Sequence, residues 1–169
     1  MAAATRDTNF VHLWNLAPVE GAKSSFTLRS TQYFTFSPDG KWLVTCWAGE
    51  FQFYRVGDWQ RRAFSIRRNP SSNQQAPVAF TRDGRTAAIA SSRYTIQLMR
   101  LPQDDATQPE TIATLESPDR GPLEILAFSA DGGRLAAATM NQLIQLWNLA
   151  LLHDGLAELK LARGWPQSP

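Results

Sequence analysis

A hexapeptide recurs four times in this 169-residue chain with nearly the same chemistry. The copies are Val11-His12-Leu13-Trp14-Asn15-Leu16, Phe51-Gln52-Phe53-Tyr54-Arg55-Val56, Ile96-Gln97-Leu98-Met99-Arg100-Leu101 and Ile144-Gln145-Leu146-Trp147-Asn148-Leu149. Positions one, three and six are apolar, and position two carries an amide or imidazole. Position four is an aromatic ring or Met, and position five is Asn or Arg. Runs this short with alternating polarity read as strands. Their recurrence means that one supersecondary unit is copied along the chain, and such a unit buries its faces only by stacking on its neighbours.

A second landmark keeps phase with the first: Phe36-Ser37-Pro38-Asp39-Gly40, Phe80-Thr81-Arg82-Asp83-Gly84 and Phe128-Ser129-Ala130-Asp131-Gly132. The Phe residues lie 44 and 48 positions apart, while the distance from each Phe to the middle of the following hexapeptide is 17 or 18. Asp-Gly between two apolar runs marks a hairpin, because Gly supplies the positive φ that a tight turn needs. Each unit therefore reads as four strands: one before the turn, one after it, the hexapeptide, and a more polar one such as Ser25-Phe26-Thr27-Leu28-Arg29 or Ala63-Phe64-Ser65-Ile66-Arg67. The strand after the turn is rich in Ala (Ala87, Ala88, Ala90; Ala136, Ala137, Ala138), which suits inner strands that taper toward an axis.

The period, the four strands per unit, the Asp-Gly turn and the Trp near the end of the third strand together resemble the WD-repeat β-propeller family. The resemblance spans residues 2 to about 150. It implies an all-β fold, a partial propeller of four-stranded antiparallel blades with about three and a quarter blades present. The repeat positions Trp14, Trp147, Asp39, Gly40, Asp83, Gly84, Asp131 and Gly132 are then structural. The naming dipeptide is Trp-Asn here, and Tyr54 and Met99 replace Trp in two copies. The family's Gly-His pair is also absent, so the buried hydrogen-bond chain that ties a blade together cannot form in full. Thr139 and Trp147 remain as partners for it in the last copy, and Thr5, Asp7 and Trp14 in the first.

The expected divisions are a partial first blade at 1–29, blades at 30–68 and 77–116, an incomplete last blade at 122–150 and a helical tail at 151–169. Ala2-Ala3-Ala4-Thr5 repeats Ala136-Ala137-Ala138-Thr139, which puts the counterpart of Asp131 upstream of Met1. The chain thus reads as the carboxy-terminal portion of a longer protein. The alternative is a half-propeller that closes a ring with other copies of itself. In the tail, Leu152, Leu156 and Leu159 have helical spacing, with Gly164 and Pro166 as a stop. The helix is expected to dock through Leu and Trp165. A Leu-rich helix followed by Gly164-Trp165-Pro166 resembles the tails that follow propellers in large bacterial proteins whose amino-terminal part is a Ser/Thr protein kinase.

The chemistry available for catalysis is sparse. There are two His and one Cys. His12 occupies the hexapeptide position that is Gln elsewhere, and His153 beside Asp154 has no nucleophile to serve. Asp39, Asp83 and Asp131 keep phase with Gly as turn residues on turns expected to point outward, and no phosphate loop or kinase signature occurs. A non-enzymatic chain with no cofactor or metal is the expectation. Cys46 lies in a strand as a small hydrophobe. A net charge of +2 is only a weak argument for an anionic partner, and nucleic acid is not the expected one; Arg61, Arg62, Arg67 and Arg68 read as the basic guard of an edge strand, with a phosphate or acidic-protein contact as the alternative. No apolar run is long enough to span a bilayer and the first residues are no signal peptide, so the cytoplasm is the expected location.

The resemblance implies a protein or peptide partner, bound by the rim formed from second-to-third-strand loops and the loops before first strands. The former include Trp47, Arg93, Tyr94, Met140 and Asn141, and the latter Gln32 and Arg120. Trp47 and Tyr94 would serve equally well as packing between blades. A recruiting or sensing role beside an upstream kinase domain is the alternative.

Overall fold

The computed structural model describes residues 2–7, 10–15, 26–29, 33–47, 49–69, 77–104 and 107–158. They form four antiparallel sheets and one helix. The first sheet is β1 (Ala2–Asp7), β2 (Phe10–Asn15) and β3 (Phe26–Arg29), so the expected partial first blade has three strands. The second is β4 (Phe34–Phe36), β5 (Trp42–Trp47), β6 (Glu50–Arg55) and β7 (Asp58–Arg67). The third is β8 (Val78–Phe80), β9 (Thr86–Ala90), β10 (Thr95–Arg100) and β11 (Glu110–Glu116). The fourth is β12 (Leu123–Phe128), β13 (Arg134–Thr139) and β14 (Ile144–Asn148), after which α1 (Leu149–Glu158) begins. Every sheet is a meander in which strands adjacent in sequence pair.

Each Asp-Gly segment closes its hairpin in the same way. In the second sheet the Ser37 hydroxyl donates to Asp39 Oδ1 (2.6 Å) and accepts the Trp42 N–H (2.9 Å), while the same Asp39 oxygen takes the Lys41 N–H (3.1 Å). Thr81, Asp83, Arg85 and Thr86 repeat the pattern, as do Ser129, Asp131, Gly133 and Arg134. The glycines that follow, Gly40, Gly84 and Gly132, have φ of 71°, 67° and 72°. Asp83 and Asp131 are exposed, and the turns of the second and third sheets abut, since a Cβ on Gly84 would overlap the Asp39 carboxyl group. A meander stacked face to face brings equivalent turns side by side.

The pleat sends alternate residues to opposite faces, and successive sheets stack through those faces. Val11, Leu13 and Leu28 of the first sheet meet Leu43 and Tyr54 of the second. On the second sheet's other face Trp42, Val44, Cys46, Phe51 and Phe53 meet Val78, Ala87, Ile89, Met99 and Leu101. Ala88, Ala90, Ile96 and Leu98 then meet Leu135, Ala137, Leu149 and Trp147 of the fourth sheet. Ala87, Ala88 and Ala90 in β9 and Ala137 in β13 fit because a neighbouring sheet closes on them, a tertiary demand that overrides helix propensity. The second sheet carries an aromatic cluster: Phe53 stacks on Phe64 (centroids 4.4 Å), and Trp42 meets both edge-on at 6.3 and 5.4 Å. Arg55 lays its guanidinium over Trp42 at 4.1 Å.

Two expectations are corrected. The basic cluster is not all edge guard: Arg61, Arg62 and Arg67 are exposed, but Arg68 is 8% exposed and donates from Nε to the Ala90 carbonyl (3.3 Å) in the next sheet. Desolvation lowers the Arg68 pKa, partly offset by Cys46; burial pushes the Cys46 thiol up, partly offset by Arg68. The helix starts at Leu149, not at residue 151; Leu149 is buried, Leu156 half-buried and Leu152 exposed. Leu149, position six of the hexapeptide, stays in the core and so sets the helix phase. Leu159 and Trp165 lie outside the described residues.

The abutting turns separate two glycines of like conformation. Nothing lies within 4 Å of a Cβ on Gly40, so Gly40→Ala should cost only the left-handed penalty, about 1–2 kcal/mol. Gly84→Ala adds displacement of the hydrogen-bonded Asp39 carboxylate and should lower the urea midpoint further. Equal midpoints would mean the two turns do not touch.

Candidate interaction surface

A meander places alternate connections at opposite ends of the stack, which gives this molecule two rims. One carries the β5–β6 turn, the β7–β8 link, the β9–β10 turn, the β11–β12 link and the β13–β14 turn. Backbone hydrogen bonds lace these loops across three sheets. Arg68 N–H donates to Gly49 O (2.8 Å), Asn69 N–H to Ser91 O (2.9 Å), Ser117 N–H to Tyr94 O (2.7 Å), Leu123 N–H to Arg93 O (2.9 Å) and Met140 N–H to Pro122 O (2.8 Å).

Six of the seven residues expected at a binding rim belong to this laced edge, and Gln32 lies outside the described residues. Arg93, Arg120, Met140 and Asn141 are exposed, and Leu143 beside them is too. Tyr94 is half-buried with the Arg93 guanidinium 5.6 Å from its ring centroid. Trp47, also half-buried, has the Arg29 guanidinium 5.4 Å from its own. Arg120 and Gln142 hold left-handed φ of 49° and 62°, a conformation that costs a side-chain-bearing residue energy.

The rim is braced from beneath by a polar network centred on Asp119. It accepts the Ser117 hydroxyl (2.7 Å), the Gly121 N–H (3.2 Å) and the Thr139 hydroxyl (3.5 Å). The Gln145 amide donates to Asp119 and also to Ser117 Oγ (2.8 Å). Gly121 is needed for the close approach, since a Cβ there would press on the Thr139 side chain. This network uses Thr139 but not Trp147, which packs in the core. Gln145 is position two of the hexapeptide. In the other sheets that position faces a hydroxyl on the outer strand: His12 opposite Thr27 (3.3 Å, Nδ1 to Oγ1), Gln52 opposite Ser65 and Gln97 opposite Thr114. The side chains of Thr5 and Asp7 lie outside the described residues.

The opposite rim carries the Asp-Gly turns and two grooves between sheets. Between the third and fourth sheets a groove of about 850 Å³ is floored by Leu98, Ile112, Phe128 and Leu149 and edged by Arg82, Arg85 and Arg100. Between the second and third the corresponding groove is about 470 Å³. Strand register explains the difference: Thr86 and Ala113 stand where Trp42 and Phe64 fill the space one sheet earlier. Loss of both aromatics from the repeat was the sequence signal for this groove, and it was missed.

His153 Nδ1 lies 3.1 Å from Asp154 Oδ1 at the surface, and the turn carboxylates are committed to their own hairpins. Among the described residues no group of three His, Cys, Asp or Glu is placed to hold a metal, and no helix is long and apolar enough to cross a membrane.

No family model and no curated protein matches the sequence. A solved structure, the β-propeller domain of Cps50 (Swd1) from Myceliophteria thermophila, matches with a TM-score of 0.67 at 18% identity. The match covers 88% of this chain. The fold is a partial β-propeller. Its sheets are blades, and the chain spans 52% of the matched propeller domain.

The hydrogen bonds of the blades fix an acid response. The Ser129 hydroxyl, then the Gly133 N–H, hold the Asp131 carboxyl below its ordinary range; Ser117 does most of the same for Asp119. Burial pushes Asp83 up, but Thr81 and Arg85 outweigh it and its pKa is also lowered. A depressed carboxylate pKa stabilises the fold above the unfolded value of about 3.9 and loses that contribution as pH falls through the folded value. Ser129→Ala should therefore lower the urea midpoint at pH 7, with the gap from the parent narrowing below about pH 4. A gap independent of pH would show that the hydroxyl does not act through Asp131.

Proposed function

We propose that this chain is a non-catalytic interaction module whose laced rim binds a protein or peptide. The observation that carries the reading is the run of backbone hydrogen bonds from Gly49 to Met140, which holds loops of three blades at fixed spacing. A pre-ordered surface loses little entropy on association. On it, exposed Met140 and Leu143 offer apolar contact beside the guanidinium groups of Arg93 and Arg120, so the fitting partner presents an apolar anchor flanked by carboxylates. The Tyr94 ring, already in contact with Arg93, adds a rigid aromatic edge of the kind that dominates binding energy. Fold alone assigns no ligand.

The test separates the two rims. Partners captured by the parent chain should be retained at least about tenfold less by Arg93→Glu combined with Met140→Asp, and held normally by Arg82→Glu on the groove rim. Far-UV circular dichroism verifies that each variant is folded. Full retention by the double variant, or equal loss with Arg82→Glu, would overturn the assignment to the laced rim.

A further inference from the structure

Positions one and three of the hexapeptide form the face that each blade turns toward the next. In the first three blades these residues are Val11 and Leu13, Phe51 and Phe53, and Ile96 and Leu98, all at most 2% exposed. On the fourth blade the same positions, Ile144 and Leu146, are 78% and 64% exposed, and Ile125 on the same face is 60% exposed. A contiguous apolar face of this kind marks an interaction site.

The identity of the occupant is written in the repeat. The bare face of the fourth blade copies the covered face of the third residue for residue: Ala136, Ala138, Ile144 and Leu146 against Ala88, Ala90, Ile96 and Leu98. What covers the third blade is the opposite face of the fourth, with Trp147 packed into that cluster. At the other end of the molecule the first blade carries Trp14 at the position of Trp147, followed by Asn in both. Trp14 belongs to no core cluster of the described residues and remains partly exposed, with the imidazole of His12 6.0 Å away.

We propose that the bare face of the fourth blade binds the first blade of a second copy of this chain. The partner copy's Trp14 then packs over Ile144 and Leu146 as Trp147 packs over Ile96 and Leu98 within one copy. The contact is head-to-tail, and two copies make it twice and close a ring. Eight sheets fall within the range of closed propellers, about 4 to 8 blades, and a chain spanning 52% of a propeller domain supplies about half of one ring. This assignment concerns the ends of the stack and stands apart from the reading of the laced rim.

Sedimentation velocity on the purified 169-residue chain at tens of micromolar tests it. The expected species is discrete, at twice the single-chain mass of 18.9 kDa, and Ile144→Asp should return it to the single-chain mass with an unchanged far-UV spectrum. A cysteine trap covers the case in which that variant misfolds: oxidised mixtures of Trp14→Cys and Leu146→Cys chains should give a covalent dimer of the two variants, with Cys46 buried out of reach. A single-chain mass for the parent would overturn the proposal and give the face to a blade of another protein. Association that survives Ile144→Asp, or mixed variants that do not cross-link, would overturn it as well.

Discussion

Burial of one blade's alternate residues against the next blade is the interaction on which the rest of the structure depends. A single meander of three or four short strands cannot hold itself together, because each of its faces is half apolar and neither is closed. Stacking closes them, and each fully buried Leu, Ile or Phe adds about 1.5–3 kcal/mol relative to leaving it in water. Between the second and third blades, the aromatic cluster of Trp42, Phe53 and Phe64 fills the second blade's facing side and Arg68 bridges to Ala90. The turns and rim loops take their positions from this packing. Asp39 reaches Gly84, and Leu123 reaches Arg93, only because the blades are already in register.

The same constraint shapes the two rims differently. Loops on one rim are joined by main-chain hydrogen bonds, which depend little on side-chain identity. The other rim is shaped by side chains. Where the repeat supplies Trp42 and Phe64 the space between blades is reduced, and where it supplies Thr86 and Ala113 a larger groove opens. A propeller can thus carry a laced edge and a separate, sequence-tuned groove without altering its stack.

Much of this was legible in the sequence because it is local. Hexapeptide polarity gives strand faces, and Asp-Gly gives hairpins. The features that escaped are those decided by neighbours. Charge alone could not distinguish Arg68 from Arg67, although one is buried across a blade boundary and the other paired with Glu50 at the surface (3.7 Å). Apolar spacing in the tail pointed to Leu152, Leu156 and Leu159, yet the anchor Leu149 fixed the phase from the core side. The polar brace under the rim was sought around Trp147 because of the family resemblance. It formed around Asp119 and Gln145, where a loop closed by Gly121 comes within reach of β13 and β14.

Three leucines at one repeat position test the packing most directly: Leu13 and Leu98 are covered by a following blade, and Leu146 is not. Denaturant unfolding of Leu13→Ala, Leu98→Ala and Leu146→Ala, at a dilution where chains are single, measures what that cover contributes. Face-to-face packing predicts losses of about 2–5 kcal/mol for the first two and less than about 0.5 kcal/mol for the third. Equal losses at all three positions would contradict it.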